Sequence, residues 1–183
     1  IGMCMCETIV ILVSGEVLAN GHGPSIENQR QNARTVAEGL GPIFTSSMKV
    51  ILLHGNKPQV GFVLLRSETA SHVIHSIPLD VCGADTQGAT GYMLRLAMLN
   101  TMRKQGVARK TTCVVTHTLV DTSSQGDQPP SAIGPFYDRT RAFQYREARQ
   151  WEIVEEEGRG YRRVVPSLKP VEILEMDSIQ QLA

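Results

Sequence analysis

The stretch His54-Gly55-Asn56-Lys57-Pro58-Gln59-Val60-Gly61 follows the apolar run Val50-Ile51-Leu52-Leu53. A buried-type strand that empties into a glycine-containing turn, with proline where the next helix begins, points backbone N–H groups at an anion. Asn56 and Gly55 are the candidate ligand contacts, because an amide side chain and a bare backbone N–H both suit a small planar oxyanion. Asn-containing turns also serve conformation alone. A histidine at a strand end could shuttle protons, but it more often hydrogen-bonds the backbone and shapes the turn, and that is the role expected of His54.

The elements that must hold this turn are legible around it. Thr8 to Val13 is a continuous apolar run rich in Val and Ile, which predicts a strand buried on both faces, as in parallel sheets covered by helices. A loop from Ser14 to Pro24 follows, and then a helix from the N-cap candidate Ser25 that carries Ala33, Val36, Ala37 and Leu40 on one face and stops at Gly41-Pro42. The second strand is predicted over 48–53 and the next helix over 58–70. Strand, helix, strand, helix argues for right-handed βαβ units, whose ligands collect beyond the carboxyl ends of the strands. Both Ser14-Gly15 and His54-Gly55-Asn56 fall there.

One long helix is predicted over 80–105, ended by Gly106. Gly83, Ala84, Gln87, Gly88 and Gly91 make a small-residue stripe along it, and glycines that cost about 1 kcal/mol each in a helix interior ask for a packing reason. Close approach of another helix, within the chain or across a dimer, is the expectation. A third strand is predicted over 111–120. From Asp121 to Pro135 periodicity fades, and a polar helix to about Gln150 and two strand-like runs near Trp151–Val154 and Tyr161–Val165 complete a small α+β excursion over about 121–165. The last segment, Val171 to Leu182, ends in a short helix capped near Asp177. About three central strands are fewer than the five or six usual in an α/β sheet.

Composition bounds the function. The 183 residues are 42% hydrophobic and 20% charged, with 18 basic and 18 acidic residues and zero net charge. That is ordinary globular usage, and it supplies no overall field toward nucleic acid or an anionic membrane. The longest apolar run, Ile9 to Val13, is too short for a membrane span or signal core, so a cytoplasmic protein is expected. The chain begins at Ile1, and Met3 or Met5 is a candidate true start. Cys4, Cys6, Cys82 and Cys113 lack zinc-site spacing and are read as free thiols, with no metal site. Gly158-Arg159-Gly160-Tyr161-Arg162-Arg163 suggests nucleic acid only superficially, since Glu155-Glu156-Glu157 neutralises it; a tight turn whose arginines hold acidic neighbours is expected. Trp151 is read as a packing anchor, and Met93, Met98 and Met102 as core or interface fillers.

Four blocks together resemble carbamate kinase, within the amino-acid-kinase family: His54 to Gly61; Pro78-Leu79-Asp80-Val81-Cys82 with Thr86-Gln87-Gly88 and Gly91-Tyr92; Ile133-Gly134-Pro135-Phe136-Tyr137; and Gly158 to Ser167. The resemblance covers essentially the whole chain and only the N-terminal, carbamoyl-binding half of the family. It implies an α/β fold, an αβα sandwich with a mostly parallel sheet, here incomplete, with the excursion protruding. It further implies a cytoplasmic homodimer that converts ATP and carbamate to ADP and carbamoyl phosphate, often run in reverse in arginine or allantoin breakdown. Carbamate or carbamoyl phosphate would be the ligand. ATP or ADP and Mg belong to the full enzyme, and this half alone would bind neither and would not turn over ATP.

The resemblance implies a substrate site at Ser14, Gly15, Glu16, Gly55, Asn56, Lys57 and Ser131, and several of these depart from the family pattern. The family has Gly-Gly-Asn where Ser14-Gly15-Glu16 stands, glycine at Lys57, and lysine at Ser131. A carboxylate about 4 Å from a phosphate oxygen costs about 4 kcal/mol per charge pair at an effective dielectric of 20, which makes Glu16 hostile to carbamoyl phosphate. A Glu16–Lys57 ion pair is the favoured expectation, with an outward, solvated Lys57 as the competitor. The departures imply impaired catalysis. The alternative is a non-catalytic anion-binding or dimerisation module derived from the same fold.

Overall fold

The computed structural model describes residues 7–20, 25–124 and 126–183; Cys4, Cys6, Met3, Met5 and residues 21–24 of the first loop lie outside the described residues. The element order is β1 (Thr8–Val13), α1 (Gly15–Ala19), α2 (Ile26–Gly39), α3 (Gly41–Phe44), β2 (Lys49–His54), α4 (Lys57–Thr69), α5 (Leu79–Lys104), β3 (Thr118–Asp121), β4 (Ser131–Tyr137), α6 (Arg139–Arg149), β5 (Glu152–Glu156), β6 (Gly160–Val165), β7 (Lys169–Ile173) and α7 (Met176–Leu182). The chain forms two compact units, one of residues 1–56, 87–115 and 175–183, the other of 57–86 and 116–174.

In the first unit β1 and β2 run parallel with Ile11 opposite Leu52 and Leu12 opposite Leu53, the expected βαβ pairing. Side chains two apart on a strand share a face, and Ile11, Val13 and Leu52 face a core of Leu18, Ala33, Ala37, Met93, Leu94 and Ala97. Small residues on α2 let that helix lie close, and Leu94 is 1% exposed. Burial on both strand faces, expected from the continuous apolar run, is not observed. Val10, Leu12 and Leu53 are 58%, 74% and 50% exposed, because among the described residues no layer covers the opposite face. Ser25 caps α2 as expected, its Oγ accepting from the Asn28 N–H at 3.1 Å. Gly106 ends α5 at φ 70° while Val107 N–H donates to Met102 O at 2.9 Å, a left-handed stop that glycine adopts without strain.

The second unit holds the antiparallel sheet β4-β6-β5 and the antiparallel pair β3-β7. Its core joins Val60 and Leu64 of α4 with Cys82 and Ile133. Two expectations change here. The predicted strand over 111–120 is a strand only at Thr118–Asp121, where β7 supplies hydrogen-bonding partners; propensity for strand, strong in Thr111 to Val115, forms no ladder without a neighbour. Conversely, the irregular stretch before Phe136 begins a strand at Ser131, since pairing with β6 overrides Gly134 and Pro135 at the cost of a ladder irregularity between Ile133 and Tyr137. The expected short closing helix runs Met176–Leu182, with Glu175, two residues before Asp177, at its N-cap position.

Candidate functional site

Parallel pairing brings the ends of β1 and β2 side by side, and so brings together the two loops that follow them. Gly55 N–H donates to Val13 O at 2.9 Å, extending the ladder one residue past β2. The expectation that this N–H faces a ligand is therefore corrected, because the ladder consumes it. Gly55 contributes absence of bulk instead: a Cβ there would lie 3.1 Å from the Gly15 backbone nitrogen. The two loops touch backbone to backbone, with no room for a side chain between them.

Ser14 ends β1 and caps α1. Its Oγ accepts from Glu16 N–H at 3.2 Å and its carbonyl accepts from Val17 N–H at 3.1 Å. A backbone donor that an anion would use is thus met from within the loop by the hydroxyl. Asn56, half-buried, directly precedes α4. Ser14, Gly15, Glu16, Gly55 and Asn56 accordingly gather at one end of the β1-β2 pair.

His54 closes β2 with its ring half-buried. Nδ1 is buried without a hydrogen bond of full geometry, and burial pushes the imidazole below its usual pKa, the Gly55 backbone offsetting this in part. A Cβ on Gly91 of α5 would overlap Cys113 Sγ and stand 3.6 Å from His54 Nε2. The crowding at Gly91 comes from this strand-end histidine and Cys113, not from a second helix. Side chains at Gly83 and Gly88 would meet nothing within 4 Å among the described residues. Sequence reasoning missed the juxtaposition of Gly91, His54 and Cys113; the glycine stripe was its only signal. Cys82 is buried and Cys113 exposed, and both are free thiols. Burial pushes the Cys82 thiol up, aided by Asp85.

The remaining two predicted site residues belong to the second unit. Lys57 is the first residue of α4, and Ser131 the first of β4. Ser131 Oγ lies 2.8 Å from Ser167 Oγ, a hydroxyl pair joined by one hydrogen bond that Ser131 alone did not announce. Within this unit α4 crosses β4 where a Cβ on Gly61 would overlap the Gly134 backbone, and Gly134 has φ 75°. Two sequence blocks are therefore locked by contact that only glycine permits. The Gly158–Arg163 stretch forms the expected tight turn: Arg159 and Arg162 reach Glu156 at 3.4 and 3.5 Å, and Arg163 reaches Glu68 at 2.6 Å. Glu68 also accepts from Trp151 Nε1 at 3.2 Å, making it a hub that sequence gave no reason to select. Trp151 is 4% exposed, the packing anchor it was expected to be.

No protein-family model matches the chain. The carbamate kinase of Pyrococcus horikoshii is 36% identical over 182 residues, covering 97% of this chain and 58% of the relative. The carbamate kinase-like protein YahI of Escherichia coli is 36% identical over 184 residues with the same coverage. Among solved structures, the carbamate kinase of Giardia lamblia bound to citric acid matches with a TM-score of 0.90 and 35% identity, over 98% of this chain and 59% of that one. The same enzyme bound to AMP-PNP matches with a TM-score of 0.77 and 34% identity, over 98% and 58%. The chain thus spans less than two thirds of the relatives it matches, consistent with their N-terminal half. Among the described residues no helix is long and apolar enough to cross a membrane. In its sequence blocks, its paired strand-end loops and its fold, this chain belongs to the carbamate kinase family.

Proposed function

We propose that the chain is the carbamoyl-binding portion of a carbamate kinase-like phosphotransferase, which as a whole would interconvert ATP plus carbamate with ADP plus carbamoyl phosphate, and that its binding loop is altered so that catalysis is impaired. The observation that carries the reading is the pair of touching loops at the carboxyl ends of two parallel strands, where Gly55 and Gly15 approach within one side chain's breadth. Ser14, Gly15, Glu16, Gly55 and Asn56 would surround the ligand. Lys57 and Ser131 are assigned to the substrate site by family resemblance alone. Among the described residues no three His, Cys, Asp or Glu side chains converge as a metal site.

In phosphoryl transfer the protein mainly positions the reactants and offsets developing charge. Impairment is favoured by two features of one loop. The Ser14 hydroxyl occupies the Glu16 N–H that would otherwise face an oxyanion, and the Glu16 carboxylate brings negative charge to the same loop. Removing both restores a donor and lifts a repulsion. Nucleotide use is inherited from the relatives, among them the AMP-PNP complex, and a cytoplasmic homodimer is the family expectation carried with them.

Calorimetric titration of carbamoyl phosphate into the wild-type chain and into a Ser14→Gly, Glu16→Asn variant tests the reading. Affinity should rise by about tenfold or more in the variant, since one recovered charge-assisted hydrogen bond is worth about 1.5–3 kcal/mol. Equal affinity in both would remove the impairment argument, and absence of heat in both would favour the non-catalytic module.

A further inference from the structure

Within the second unit, α4 holds the β4-β6-β5 sheet at two places. In its first half Gly61 lies backbone to backbone against Gly134 of β4, with Val60 and Leu64 packed in one core with Ile133. Glu68 stands about 10 Å further along the helix axis. Its carboxylate takes donors from three parts of the excursion: Arg149 at the end of α6 at 3.5 Å, Trp151 in the turn into β5 at 3.2 Å, and Arg163 of β6 at 2.6 Å. Arg163 lies in the middle strand, opposite Ile133 of β4 and Ile153 of β5, so whatever fixes Arg163 fixes the sheet. Helix α6 rides on that sheet through Phe143 against Tyr161, with ring centroids 5.7 Å apart.

The two attachments differ in kind. Glycine against glycine leaves no side chains to interlock, and aliphatic contact has no preferred direction, so the crossing fixes separation but resists rotation only weakly. Hydrogen bonds from guanidinium to carboxylate are directional. The side chains of Glu68, Arg149 and Arg163 are only 21% to 30% exposed, where solvent ions screen a pair less. The crossing is a pivot, and Glu68 is its catch.

That pivot lies close to two residues of the proposed substrate site. Lys57 precedes Gly61 by about one turn of α4, and Ser131 precedes Gly134 by about 10 Å of strand. Turning the sheet by about 20° about the crossing would carry Ser131 about 3 Å relative to Lys57, whereas reacting groups misplaced by about 1 Å already lose much of their rate. We propose that Glu68 is a positioning residue: it fixes the rotation of the β4-β6-β5 sheet about the Gly61–Gly134 crossing and so sets Ser131 relative to Lys57. The proposal rests on the assignment of those two residues to the substrate site, but its test reads geometry without substrate, so the two fail separately.

The test places nitroxide labels at Arg66→Cys of α4 and Gln144→Cys of α6, both exposed, in the full chain carrying Cys4→Ser, Cys6→Ser and Cys113→Ser; Cys82 is buried. Pulsed dipolar spectroscopy should give one narrow distance with Glu68 in place and a distribution wider by at least about 3 Å in Glu68→Ala. Glu68→Gln still accepts from Trp151 but no longer attracts the guanidinium groups, so it should widen the distribution less. Emission from Trp151, the chain's one tryptophan, should move to the red in Glu68→Ala. Val164→Ala, a buried change in β6 that leaves the catch intact, measures what lost stability alone does. The proposal is overturned if Glu68→Ala and Glu68→Gln both keep the narrow distance, or if Val164→Ala widens it as much as Glu68→Ala. Should Glu68→Ala fail to fold, Glu68→Gln against Val164→Ala decides alone.

Discussion

The first unit is held by aliphatic side chains and small residues packed under one face of a parallel strand pair, with its candidate site made from loop backbone. The second is held by a carboxylate hub: Arg163, Arg149 and Trp151 converge on Glu68, and Tyr137, Tyr145 and Trp151 stack beside it with ring centroids 4.6 to 5.8 Å apart. Apolar packing has no direction, so the first unit tolerates an open face and an unladdered segment. A network of directed hydrogen bonds fixes each partner, so the side chains around Glu68 are held in one arrangement.

Trp151→Ala is the largest expected break in this contrast, about 3–5 kcal/mol for losing a buried aromatic anchor and leaving Glu68 without one donor. Hydrogen exchange should show the loss concentrated in residues 116–174. Equal loss at Leu94 and Ala97 would mean that the two units unfold together. Next, Gly61→Ala should destabilise by about 3 kcal/mol in urea titration, since backbone meets backbone, against about 1 kcal/mol for Gly55→Ala, where a shift of a few tenths of an ångström suffices. Similar values for the two would erase the distinction between a locked crossing and an adjustable loop.

Glu68→Gln should cost about 1–2 kcal/mol, less at high salt, because the amide still accepts from Trp151 but no longer attracts two guanidinium groups. The two units should also fail at opposite ends of the pH scale. Burial holds His54 below 6.5, so the unfolded chain takes up its proton first; this contribution is complete above about pH 6.5 and is lost as pH falls. Burial, reinforced by Tyr145, pushes the Tyr137 phenol up to about 12 from 10.0, so its contribution is complete below pH 10.0 and is lost as pH rises toward 12. Denaturation midpoints across pH should lose their acid slope in His54→Gln and their alkaline slope in Tyr137→Phe. The smallest effect is expected from Leu12→Ser, within about 0.5 kcal/mol for the chain alone, because the side chain is already in water. A loss above about 2 kcal/mol would show that the face is covered in solution.

The sequence by itself determined whatever rests on short-range rules. Alternation of apolar runs and capping residues gave β1 over Thr8–Val13, the Ser25 cap and the Gly106 stop, and spaced blocks gave the family. Ser14, Gly15, Gly55 and Asn56 were selectable because parallel strands place their following loops together, and Glu16 through the family resemblance. What the tertiary structure decided depends on partners distant in the chain. The 111–115 segment forms no strand because a ladder needs a neighbour, while Ser131–Tyr137 is one because β6 provides it. Gly55 spends its N–H on Val13, Ser131 pairs with Ser167, and Glu68 gathers side chains 81 to 95 residues away. Hydrogen-bond partners and crowding are properties of three-dimensional neighbourhood, and residue type alone does not carry them.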